Sequence, residues 1–98
     1  MNIDLIRNIE IEQSILAAAM NKNGLLIIKN SKVSPDDFYL DKHKEIFKAI
    51  LKTYEKENEI DLVLLLEYCQ SNNILEKVGG KTYLVEVSSS CSSLYMQH

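Results

Sequence analysis

Asp41-Lys42-His43-Lys44-Glu45-Ile46-Phe47-Lys48-Ala49-Ile50-Leu51-Lys52-Thr53-Tyr54-Glu55-Lys56-Glu57 is the stretch that decides the fold class. Ile46, Phe47, Ile50, Leu51 and Tyr54 recur at helical spacing as one apolar face, while Lys44, Glu45, Lys48, Lys52 and Glu55 mark the wet side. Asp41 stands where a carboxylate caps a helix start. The spacing therefore predicts a helix over about 42–57. Just upstream, Ser34-Pro35-Asp36-Asp37 reads as another start: a capping serine, a proline at the first position, and Asp37 three residues after Ser34 as in a capping box. Phe38-Tyr39-Leu40 is then expected to bury that turn against the core.

Further upstream, Leu25-Leu26-Ile27-Ile28 is an unbroken apolar run for which periodicity alone does not choose between strand and helix. It lacks alternation and a hairpin partner, which tilts the reading to a short helix. Before it, Glu10 to Met20 forms a strong helical segment that Gly24 is expected to break. Leu16, Ala19 and Met20 share a face of that segment, and its short alanines would let a neighbouring helix approach closely. Glu10 and Glu12 at its front suit the positive end of the helix dipole and read as a solvated first turn.

Downstream, Asp61 restarts the chain, and Leu62, Leu65, Leu66 and Cys69 keep helical spacing up to Ser71-Asn72-Asn73. Leu62 to Leu66 is apolar all round, which predicts a central helix. Ile74 to Val78 fits one helical turn, and Gly79-Gly80 a tight turn with positive φ. Thr82 to Val87 has strand propensity by composition. Ser88 to Ser93 is a serine-rich loop leading into Leu94-Tyr95-Met96-Gln97-His98.

Ninety-eight residues, 46% hydrophobic and 26% charged, describe one ordinary globular domain. Net charge is −3, with one arginine, Arg7, and lysines interleaved with glutamates. A duplex binder working by counterion release clusters its basic residues on one face, so nucleic-acid binding is not expected. No apolar run approaches the ~20 residues of a membrane span, and the start lacks a secretory pattern, so the expected location is cytoplasmic. Cys69 and Cys91 are too few for a disulfide framework. Cys69 reads as a small buried hydrophobe, Cys91 as an exposed thiol.

The motifs that invite chemistry have simpler readings. Gly80-Lys81-Thr82 ends as phosphate loops do, but the required upstream glycine position holds Leu75. His43 near Asp36, Asp37 and Asp41 has no second nitrogen or sulfur ligand at helical spacing, and reads as bracing the preceding turn. Asp36, Asp37 and Asp61 read as helix-start carboxylates rather than an acid–base pair. The aromatic residues have no interleaved basic residues, which disfavours a base-stacking platform; their rings are expected in the core with tyrosine hydroxyls at the surface.

Taken in order, Glu12-Gln13, Asp36-Asp37-Phe38-Tyr39, His43, Ile46-Phe47, Ile60-Asp61, Gly79-Gly80 and Tyr83-Leu84 resemble the N-terminal domain of DnaB-type replicative DNA helicases. The likeness spans about Ile9 to Tyr95, and rests on the ordered set rather than on any single motif. It departs from the family at Arg7-Asn8-Ile9, where proline is usual, and at Ser92-Ser93, where Pro-Ser is usual. The resemblance implies an all-α, compact bundle of about five to six short helices, with residues 82–87 helical. It implies a head domain at 1–90, then at 91–98 a loop and the start of a truncated helical hairpin. Glu12, Asp37, Phe38, Tyr39, His43, Phe47, Asp61, Gly79, Gly80 and Tyr83 would be its structural motif residues, and Leu94, Tyr95 and Met96 would belong to a partner-binding element.

The function so implied is that of a collar and docking module, contributing to ring assembly and to contacts with primase or a helicase loader. No catalytic, cofactor-binding or metal-binding residue is expected in this chain. ATP and magnesium would belong to the motor domain of a hexameric parent, and self-association to the missing hairpin. The alternative is a stand-alone regulator with the same head, binding helicase or primase in trans.

Overall fold

The computed structural model describes the backbone of residues 3–90 and the side chains of residues 8–90. Five α-helices and one 3-10 turn follow in order, and there is no strand among the described residues: α1 Ile3–Ala19, α2 Lys22–Asn30, the turn Pro35–Asp37, α3 Asp41–Glu57, α4 Leu62–Ser71 and α5 Gly80–Ser88. The all-α expectation is borne out. Helix α3 packs against α1, α4 and the 3-10 turn, while α5 closes against both α1 and α4.

The deciding stretch behaves as its spacing requires. Ile46, Phe47 and Ile50 are wholly buried on α3, and the buried face extends to His43 at one end and Thr53 at the other. The Thr53 hydroxyl is satisfied by the Ala49 carbonyl at 2.7 Å, so its burial leaves no orphan donor. Leu40, not Asp41, occupies the N-cap position; Asp41 lies in the first turn, where its charge still suits the helix dipole. Asn58 ends α3 in the left-handed region at φ 54°, its N–H bonded to the Tyr54 carbonyl.

Helix α1 starts earlier than its apolar pattern predicts, so Glu10 and Glu12 fall mid-helix rather than in a first turn. Its end is also displaced from the expected Gly24. The chain turns at Asn21, whose side chain caps α2 by accepting from the N–H groups of Asn23 and Gly24. Gly24 lies inside α2, and the reason is steric. A Cβ built there would stand 2.1 Å from the Ala18 carbonyl oxygen, so α2 crosses the last turn of α1 in backbone contact. Leu25, next along, is fully buried.

In the 3-10 turn, Asp37 accepts from the Ser34 backbone N–H at 2.8 Å and from its hydroxyl at 3.3 Å. Of the three residues expected to bury this turn, Phe38 does so, its ring 5.2 Å from that of Phe47. Tyr39 instead stands 63% exposed, because its backbone rather than its ring is held by the core.

Helix α4 is not the all-round buried helix its leucines predict. Leu65 and Cys69 are buried, but Val63 is 63% exposed, because α3 and α5 cover one side only. Asp61 caps α4 through the Leu64 N–H at 2.8 Å. An Asp61→Ala variant should lose about 1 kcal/mol in urea unfolding with the m-value unchanged. Burial of Cys69 pushes its thiol up from 9.0 to about 11. The unfolded chain gives up this proton first, so the stability it contributes is complete below pH 9 and declines as pH rises towards 11. In a Cys91→Ser background, a thiol reagent at pH 8 should modify Cys69 only as fast as the domain opens, and denaturant should accelerate the reaction sharply. Prompt stoichiometric labelling of the native protein would contradict its burial.

The segment before α5 makes the expected single turn, with the Val78 N–H on the Ile74 carbonyl at 3.3 Å. Gly79 and Gly80 both take positive φ, at 96° and 88°. Residues 82–87 are helical despite their β-branched composition. Leu84 and Val87 point inward at a spacing of three, whereas a strand would put residues 83, 85 and 87 on one side; Val85 is exposed.

Candidate docking site around a buried polar hub

Four elements deliver polar groups to one point. The helical spacing Glu12, Leu16, Ala19 puts a carboxylate in line with the inner face of α1. On α3, His43, Phe47 and Ile50 do the same for an imidazole, and Tyr83 reaches in from α5. His43 Nδ1 lies 2.7 Å from Glu12 Oε1, and His43 Nε2 lies 2.5 Å from the Tyr83 hydroxyl. Glu12 Oε2 accepts the Tyr39 backbone N–H, and Gln13 Nε2 donates to the Tyr83 oxygen at 3.2 Å.

The neutral Nδ1–H tautomer of His43 satisfies every link. Gln13 donates to Tyr83, Tyr83 donates to His43 Nε2, and His43 Nδ1–H and Tyr39 N–H donate to the Glu12 carboxylate. No buried side-chain polar atom is left without a partner among the described residues. The hub is walled by Phe38, edge-on to the imidazole, and by Tyr83, whose ring stacks on it at 5.9 Å. Burial raises the Tyr83 hydroxyl above its ordinary value; the Gln13 hydrogen bond works against that, and the Glu86 and Glu12 charges add to it. Lys42 Nζ sits 3.7 Å from the Tyr83 ring centroid, a cation–π contact on its outer side.

This corrects three expectations. Glu12 is 8% exposed and not part of a solvated turn, because α1 begins nine residues before it and its inner face is already turned to the core. His43 braces the preceding turn only through Glu12, and is bonded as much to α5 as to that turn. The Tyr83 hydroxyl, expected at the surface, is held inside for the same reason.

Of the residues singled out from the sequence, Glu12, Tyr39, His43 and Tyr83 converge here, with Phe38 as a wall, Phe47 behind it, and Gly79 under Tyr83. A Cβ at Gly79 would stand 2.8 Å from the Tyr83 ring, so that glycine also seats the tyrosine. Asp61 is remote, serving α4 alone. Leu94, Tyr95 and Met96 lie outside the described residues. Gln13 was noted only as part of the Glu12-Gln13 pair, with no role given to it, and Lys42 was missed, since it carries no signal beyond its neighbours.

The hub offers no free nucleophile or base, since its groups are spent on one another. Among the described residues, no three His, Cys, Asp or Glu side chains group as metal ligands, and no helix is long and apolar enough to cross a membrane. Lys81 and Thr82 are exposed at the start of α5, which follows helix α4 and a turn rather than the strand a phosphate loop needs. What lies open beside the hub is a groove of about 520 Å³ between α1 and the 3-10 turn. Ile11, Ile15, Phe38 and Tyr39 supply its apolar wall, and Asp36 and Asp37 its acidic rim.

Residues 4–97 match the family described as DnaB-like helicase N terminal domain. The chain belongs to that family. The DnaB-like N-terminal domain described here is 33% identical over 84 residues to the replicative DNA helicase DnaC of Bacillus subtilis, a match covering 86% of this chain and 18% of the relative. It is 34% identical over 91 residues to the replicative DNA helicase DnaB of Buchnera aphidicola, covering 93% of this chain and 20% of that one. The crystal structure of the N-terminal domain of DnaB helicase from Mycobacterium tuberculosis superposes with a TM-score of 0.74 at 26% identity, over 84% of this chain and 57% of that chain. This DnaB-like domain thus spans about a fifth of the length of these helicase relatives.

Proposed function

We propose that the chain serves as the N-terminal collar and docking domain of a hexameric replicative DNA helicase in the cytoplasm, contributing to ring assembly and to contacts with primase or a loader. The family match over nearly the whole chain carries this reading. The internally satisfied hub supports it, because it fixes the helices as a scaffold and leaves no reactive group over. ATP and magnesium chemistry would belong to polypeptide corresponding to the rest of the helicase relatives, beyond the fifth that is matched here.

The test is a chimera in which residues 4–97 replace the matching segment of the Bacillus subtilis helicase. Hexamers by native mass spectrometry, with primase or loader captured, are the expected outcome. The isolated chain should show no ATP turnover. A chimera that stays monomeric and captures neither partner would sink the reading. If only the isolated chain binds, inhibiting intact helicase when added in trans, it acts as a regulator instead.

A further inference from the structure

The hydrogen-bond chain of the hub has a direction, and one end of it is reversible. With a neutral imidazole the donors run from Gln13 to Tyr83, from Tyr83 to His43 Nε2, and from His43 Nδ1–H to Glu12. The Glu12 end is fixed: one carboxylate oxygen accepts from the imidazole and the other from the Tyr39 N–H. At the far end stands an amide, which carries an acceptor oxygen as well as its N–H₂ group. Among the described residues the half-buried Gln13 side chain has no other hydrogen bond, so no second partner dictates which end of it meets Tyr83.

We infer that the hub takes up a proton at His43 Nε2 without losing a hydrogen bond, by turning over the Gln13 amide. Nε2–H then donates to the Tyr83 oxygen, the Tyr83 O–H donates to Gln13 Oε1, and Nδ1–H still donates to Glu12. Both links through Tyr83 reverse, and both links to Glu12 stay as they are. The phenol keeps its own proton throughout, since burial raises the Tyr83 hydroxyl above its ordinary value. The elements around the imidazole set the electrostatics. Helix α1 brings the Glu12 carboxylate to 2.7 Å, and α5 brings Glu86, whose charge is felt at the Tyr83 hydroxyl. The 3-10 turn brings Asp36 and Asp37 across the groove that Glu12 also lines, and α3 itself brings Lys42 over the outer side of the Tyr83 ring. Burial and Lys42 oppose a charge on His43, and the acids favour it. Protonation converts a nearly buried lone carboxylate into an ion pair with every donor and acceptor matched, the condition under which a buried charge is tolerated. Gln13 is thus a positioning residue, and its amide carries the proton state of a wholly buried ring out to a half-buried side chain.

Nitrogen NMR of His43 in the 98-residue chain tests this across about pH 8 to 5, the interval in which imidazoles titrate. The expected course is a bare Nε2 at the upper end, both nitrogens protonated at the lower end, and an unchanged backbone amide pattern. Gln13→Met keeps the reach of the side chain but removes its acceptor, so a protonated Nε2 would leave the Tyr83 O–H without a partner in the hub. That variant should take up the proton about one pH unit lower than the parent. Its unfolded chain still binds the proton as before, so the folded variant loses stability as pH falls. Its melting deficit against the parent should be about 5 °C larger at pH 5 than at pH 8. Gln13→Glu, whose carboxylate only accepts, should move the uptake the opposite way, and reads the same relay if the Met variant does not fold. An Nε2 that stays bare at the acid end in the parent overturns the proposal, as does a proton that settles on Glu12 instead, seen in its carboxyl carbon shift. Variants that titrate with the parent, or a Gln13→Met deficit equal at both pH values, overturn it as well, and mark Gln13 as a packing contact only.

Discussion

A Glu12→Ala protein should melt roughly 15–30 °C below the parent. The carboxylate accepts from the wholly buried His43 Nδ1 and from the Tyr39 backbone N–H, and is itself only 8% exposed. Its removal orphans two donors, and hydrogen bonds to a charged group contribute about 1.5–3 kcal/mol each. A loss of about 3–5 kcal/mol follows, and each kcal/mol moves the midpoint of a domain this size by about 4–8 °C. The control is two positions away. Glu10→Ala removes the same group from an exposed site and should change stability by less than about 0.5 kcal/mol. Equal melting temperatures for the two variants would refute the hub as a structural lock. Glu12→Gln should fall between them, because its amide keeps one acceptor oxygen but sets an N–H₂ group against the other donor. Amide exchange at Tyr39 gives a local reading: protected in the parent and in Glu10→Ala, and fast in Glu12→Ala.

The second large effect has a sign that helix propensity gets wrong. Gly24 lies inside α2, where alanine is ordinarily better by about 0.8–1 kcal/mol. Here Gly24→Ala should instead cost about 3 kcal/mol or more, since the new methyl group would stand 2.1 Å from the Ala18 carbonyl oxygen. The obstacle is backbone on both sides, so relief requires α2 to lift from α1 and uncover Leu25. Gly80→Ala is the comparison. Open space surrounds that position, and only the φ of 88° opposes a side chain, at about 1–2 kcal/mol. Chemical denaturation of both variants should rank Gly24→Ala as the less stable. A Gly24→Ala protein more stable than the parent would mean that the two helices do not touch there.

The fold was legible wherever a single face decided the matter. Ile46, Phe47 and Ile50 on α3, and Leu65 and Cys69 on α4, followed from spacing alone, because one-sided burial leaves a periodic trace. The limits came from relations between helices. Nothing local to Gly24 says that it lies under another backbone, so a glycine read as punctuation is a contact point. The five-residue apolar run of α4 looked central because pattern cannot tell a covered side chain from one left in water, as Val63 is. Residues 82–87 carried strand-forming types, and only the inward pair Leu84 and Val87 at helical spacing resolves them.

The hub was half legible. Glu12, His43 and Tyr83 were all singled out by the family pattern, yet their union was not. A carboxylate at the front of an apolar stretch is most often a solvated helix start, and the residues that make it otherwise lie 27 and 31 positions further on. The signal that was available is positional. Glu12 and His43 each sit in line with core residues of their own helix, a place where an unpartnered charge or imidazole is not tolerated. Two such misplaced polar residues on different helices predict each other.

The spacing of the hub in the chain also sets a clock. His43 and Tyr83 are separated by 40 residues, and Gln13 and Tyr83 by 70. During synthesis, at about 5–20 residues per second, roughly 2–8 s pass between the making of the imidazole and that of its phenol. For that interval the nascent chain holds a carboxylate–imidazole pair with no lid and an apolar surface with no cover. The hub can close only once α5 has been made, so a ribosome paused before Tyr83 would present chaperones and proteases with an unfinished molecule.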